Sequence, residues 1–136
     1  AALVPEPWGA TLLKNGAELL LDYDEFYMEG KYNVAVVVVR KEFMEKNPEV
    51  VEKFLEAHET ATVSINEDKE HALTIINEEL KNATGKALGE DIISESFNRI
   101  GVSTELNQAS VLDFAQISKY QKFIDGLPDE TTLFTK

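Results

Sequence analysis

Apolar residues follow two different rhythms along this chain, and the change between them falls near Pro48. Beyond that point Val51, Phe54, Leu55, His58, Ala61, Thr62 and Ile65 recur at steps of three and four, which places them on one face of a helix. Pro48 suits the first helical position, where a missing N–H costs nothing, and Asn66 is the expected stop. The same spacing predicts a helix over 68–82, with Ala72, Ile75, Ile76, Leu80 and Ala83 inward and Thr84-Gly85 closing it. Another over 89–99 carries Ile92, Ile93 and Phe97. A last one over 107–125 carries Val111, Phe114, Ile117, Tyr120 and Ile124 ahead of Gly126 and Pro128. Residues 101–105 read as a short extended link, and no internal repeat suggests a solenoid.

Ahead of Pro48 the pattern is different. Val34-Ala35-Val36-Val37-Val38-Val39 is a continuous β-branched run, expected as a strand buried on both faces, as in a parallel sheet. Ala17 to Asp22 reads as a second strand and Asp24 to Lys31 as an irregular acidic loop. A short helix over 6–15 is opened by Pro5 and Pro7 and stopped near Gly16. Strands followed by helices predict a helix-rich α/β fold. The helical stripe puts Phe54 and Leu55 in the core, where truncation to Ala costs about 2–5 kcal/mol. A bare edge on the Val34–Val39 strand would drive self-association of the isolated chain.

Composition narrows the function more than the fold. A chain of 136 residues with 43% hydrophobic content can bury one core. A net charge of -12 repels phosphate backbones and argues against a nucleic-acid partner. Without cysteine there are no disulfides, thiol nucleophiles or thiolate metal sites. No apolar stretch reaches the roughly 18–20 residues of a membrane span.

Chemistry-bearing motifs are few. His58 and His71 lie in no metal-binding spacing, and His58 reads as a core residue of its helix. Asp22-Tyr23-Asp24-Glu25 lacks the glycine and the closing glutamate of a calcium loop, which leaves a solvated acidic loop. There is no G-x-S-x-G elbow, and the pairs Glu78-Glu79 and Glu90-Asp91 sit where helices expose charge. Neither an enzyme nor a cofactor or metal site is expected. Glu6-Pro7-Trp8 is the one constellation pointing to a ligand. A rigid Pro-bearing turn into a helix offers backbone N–H groups to an anionic head, with Trp8 as an aromatic wall. Equally open is a structural role, in which Trp8 fills the core beneath the turn and Glu6 caps the helix.

Val4-Pro5-Glu6-Pro7-Trp8-Gly9-Ala10, the valine run ending in Arg40-Lys41-Glu42-Phe43, and the following Pro48-Glu49-Val50-Val51 together resemble a known family. It is the family of extracytoplasmic substrate-binding proteins of ABC importers for aliphatic sulfonates, taurine, nitrate, bicarbonate or thiamine-precursor pyrimidines. The likeness runs from Ala1 to about Phe123 and departs at Thr62-Val63-Ser64-Ile65-Asn66, where relatives often place Trp before Ile-Asn. It implies a helix-rich fragment of a two-lobed periplasmic-binding-protein-like fold, with 1–33 as the end of lobe two and the crossover, and 34–136 as the C-terminal part of lobe one. The implied function is capture of a small anionic or zwitterionic, sulfonate-like solute, with Glu6, Pro7 and Trp8 at the ligand. The implied partner is the permease subunit of the membrane transporter. The implied place is the periplasm or cell surface, with a leader or lipid-anchored cysteine, and most of lobe one, upstream of Ala1. The alternative is a stand-alone helical module that binds another protein through an amphipathic face.

Overall fold

The structure, a computed structural model, describes residues 1–134. Its regular elements are helices: α1 (Trp8–Lys14), α2 (Tyr23–Phe26), a 3₁₀ turn (Met28–Gly30), α3 (Lys41–Lys46), α4 (Pro48–Glu67), α5 (Lys69–Thr84), α6 (Glu90–Ser96), α7 (Gln108–Tyr120) and α8 (Glu130–Leu133). No strand forms among the described residues, so the α/β expectation, and with it the periplasmic-binding-protein-like fold, is corrected to all-helical. The physical reason is the absence of a ladder. Ala17 to Asp22 and Val34–Val39 take no regular structure and share no backbone hydrogen bonds with each other or with another described segment. Far from being buried on both faces, Val34 is 79% and Val38 83% exposed.

The chain divides into two units, Ala1–Leu20 with Val39–Thr104, and Leu21–Val38 with Glu105–Lys136. This division differs from the expected one of 1–33 and 34–136, because residues 1–20 fold with 39–104.

In the first unit α1 packs on α6, α3 on α4, α4 on α5, and α5 on α6. Small side chains let these helices approach: Ala10, Ala72, Thr62 and Ser96 are buried beside Ile93, and the Ser96 hydroxyl donates to the Ile92 carbonyl at 2.7 Å. Local signals set the helix ends. Pro48 is at the start of α4, the Asp68 carboxylate accepts the His71 N–H at 3.0 Å, and Gly85 closes α5 in the left-handed region at φ 80. Asn77 then ties the link to α6, its amide donating to the Leu88 carbonyl and its oxygen accepting the Leu88 N–H. Asn66 and Lys69 reach across from the α4–α5 junction to the carbonyls of Val102 and Phe97.

One expectation for this unit is overturned. Phe54 and Leu55 are 51% and 55% exposed, because α4 has neighbours only on the side it turns to α3 and α5. Val50 and Phe43 are likewise exposed, and His58 is half-buried against the Phe54 ring.

The second unit is built around α7. The segment expected as an acidic loop folds into α2 and the 3₁₀ turn. Asp22 and Glu25 form a capping box there, and Gly30 at φ 75 passes so close to the Tyr23 ring that a Cβ would lie 2.6 Å from it. Both units bury little. The accessible surface of 11042 Å² exceeds the about 8,500 Å² expected even for two separate compact bodies of these sizes.

Candidate functional site

The turn singled out by the sequence folds as a brace. Trp8 N–H donates to the Pro5 carbonyl at 3.0 Å, Pro7 sits at the N-cap of α1, and the Glu6 side chain folds back over the first helical turn. There its carboxylate accepts the Ala10 N–H at 3.0 Å. Gly9 makes room for it, since a Cβ at that position would stand 2.7 Å from Glu6 Oε1. The other side of the carboxylate meets Arg99 Nη1 at 3.4 Å, while Arg99 Nη2 donates to Glu95 Oε1 at 2.7 Å. Glu6 and Arg99 are nearly withdrawn from water, with side chains 11% and 17% exposed. Trp8, by contrast, is 61% exposed.

This geometry separates three residues that the sequence grouped. Glu6 faces inward and spends its charge on Arg99 and the helix start, so it neither meets a solute directly nor leaves the Ala10 donor open to an anion. Pro7 shapes the turn. Trp8 does not fill the core beneath it and stands in solvent as an aromatic face on a rigid mount. Carboxylates at 6 and 95 around one guanidinium leave the brace with a formal surplus of negative charge, which is unfavourable to a bare anion at contact distance. The partnership of Glu6 with Arg99 carried no sequence signal, because the two lie 93 residues apart.

A second cluster, in the unit around α7, was not anticipated. The Tyr27 hydroxyl donates to the Asp113 carboxylate, and the Tyr27 ring packs 5.4 Å from both Tyr32 and Phe114. The hydrogen bond to Asp113, then burial, then the carboxylate's charge push the phenol up to about 12, which keeps it neutral and donating. Beside it Asn33 donates through its side-chain amide to the Asn107 carbonyl at 2.7 Å and to Ser110 Oγ at 2.8 Å. Asn107 caps α7 by accepting the Ser110 N–H, and its own amide donates to the Lys31 carbonyl. Ser110 is fully buried. The network pins the segment before Val34 to the start of α7 and uses its polar groups on one another.

A shallow hollow of about 190 Å³ between the α4–α5 junction and the Phe97–Val102 segment is smaller than the roughly 300–1,000 Å³ of ordinary ligand pockets. Its one cation, Lys69, already donates to the Phe97 carbonyl and to Asn98 Oδ1. His58 and His71 join no group of three or more potential metal ligands among the described residues. Comparison with known protein families, with curated proteins and with solved structures gives no match for this chain.

Proposed function

We propose that this chain serves in extracytoplasmic capture of a small solute for an ABC importer, supplying part of the binding surface, with Trp8 as its contact residue. The solute class is the one the sequence resemblance implies, sulfonate-like and small, and the zwitterionic members fit the site better than bare anions. The observation that carries the reading is the exposure of Trp8 on a turn whose charges are already committed. A large aromatic ring held in water costs free energy unless something covers it, and a rigid mount means that little ordering entropy is lost when a solute does. The surplus negative charge of the brace lies beneath the ring and favours a ligand carrying an amine alongside its acid group, as taurine does. Glu6 and Pro7 position the ring without touching the solute.

The test is calorimetric titration of the full-length gene product with taurine and with an alkanesulfonate of similar size. Trp8→Ala is expected to weaken taurine binding on the order of tenfold with folding intact, the effect of losing one aromatic face. Affinity unchanged by Trp8→Ala, or absent for both solutes in the wild type, would refute the proposal. A second reading, a helical module that binds another protein, is favoured by one observation: the exposed Val50, Phe54 and Leu55 on α4. It is the reading to adopt if Phe54→Ala leaves stability intact yet abolishes a defined protein contact.

A further inference from the structure

Val34–Val39 presents six consecutive apolar side chains to solvent, with no backbone ladder among the described residues. We propose that this run pairs antiparallel with the same run of a second copy of the chain, forming a closed two-fold dimer. The proposal does not rest on the solute reading. Three features of the chain specify the occupant.

The first is self-complementarity. Valine and alanine fill every position, so an antiparallel match of the run with itself sets Val against Val or Ala at each rung, the kind of cross-strand pair that stabilises sheets. A run apolar on both faces also tolerates a shift of register, whereas a half-polar strand would not.

The second is charge order. The segment before the run is acidic, with Asp22, Asp24, Glu25 and Glu29, and the residues that follow it are Arg40 and Lys41. Antiparallel pairing brings the basic end of each copy beside the acidic end of the other, and parallel pairing would align like with like. The net charge of -12 opposes association only at long range, which salt at physiological strength screens beyond about 8 Å.

The third is area. The chain exposes about 2,500 Å² more than two compact bodies of its units would, comparable with the share each partner contributes to a large homodimer interface. A pair of identical surfaces related by a two-fold axis closes on itself, so association is expected to stop at two.

Sedimentation equilibrium of the chain at tens of micromolar is expected to give a mass of about 30 kDa, twice the 15.2 kDa of one copy. Val36→Lys with Val38→Lys is expected to weaken the dimer on the order of a hundredfold, and since both side chains are exposed, far-ultraviolet circular dichroism should not change. Arg40→Glu with Lys41→Glu, which sets acid against acid, is expected to weaken it on the order of tenfold. Amide exchange at Val36 to Val38 should slow at dimeric concentrations and be fast on dilution. A monomer at all concentrations overturns the proposal, as does growth beyond a dimer. A dimer indifferent to the lysine pair would place the interface elsewhere, and one indifferent to the charge reversal would exclude the antiparallel arrangement.

Discussion

Replacing Arg99 by Met tests the brace under Trp8, because it removes the guanidinium while keeping most of the stem that packs beside it. Glu6 would then hold an ionised carboxylate only 11% exposed, with the Ala10 N–H at 3.0 Å as its remaining named donor. Removing one partner of a buried pair costs about 3–5 kcal/mol. This pair lies at the weak end of that range, since the Glu6 contact is 3.4 Å long and Glu95, 46% exposed, can turn back to water. We therefore expect a loss of about 2–3 kcal/mol. Glu6→Gln should cost only about 1 kcal/mol, because the amide oxygen still accepts from Ala10 and Arg99 keeps Glu95 at 2.7 Å. The diagnostic result is the double variant. With Gln at 6 no buried charge is left stranded, so the double variant should be more stable than Arg99→Met alone. Urea unfolding followed by the fluorescence of Trp8, the only tryptophan, reads the unit directly. An Arg99→Met variant within about 0.5 kcal/mol of wild type, or a double variant at the sum of the singles, would refute the reasoning.

Three further outcomes follow from the same physics. Of the four tyrosines, Tyr27 should titrate last, near 12, in absorbance at 295 nm; because its folded value lies above the ordinary value of 10, the stability it contributes is intact below pH 10 and is lost as pH rises toward 12, and Tyr27→Phe should remove that alkaline loss. Gly30→Ala should destabilise the unit around α7 by about 2 kcal/mol or more in urea unfolding, since the residue is at φ 75 and its new Cβ would collide with the Tyr23 ring. Phe54→Ala should cost only about 1 kcal/mol by the same measurement, because the ring is already half in water, and a loss near the 3–5 kcal/mol of a core phenylalanine would show that α4 is covered in solution.

The helices were readable from the sequence and the site was read only in part. Pro48, Asp68 and Gly85 mark helix ends through contacts no more than four residues away, and the predicted boundaries of α4 and α5 fall within two residues of the observed ones. The capping box at Asp22 and Glu25 used an equally local code, but the acidic run hid it behind the expectation of a solvated loop. Glu6 was recognised as a possible cap, and it does accept a helix N–H. Its ion pair with Arg99 joins positions 93 apart, and the Tyr27–Asp113 bond joins positions 86 apart, so no spacing could announce either.

The failure of the strand prediction has a different origin, visible when α4 is set beside Val34–Val39. Both were predicted from apolar residues expected to be buried, and in both those residues are substantially exposed. Even so, α4 forms over 20 residues and the valine run forms no ladder. A helix closes its hydrogen bonds between residues four apart, so the element can exist whether or not its apolar face is covered. A strand closes them only on a neighbour, and valine spacing reports how the side chains would be buried without saying where the neighbour is. The pattern of Val34–Val39 is therefore a statement about a partner surface, and whether that surface comes from a second copy is what the sedimentation experiment decides.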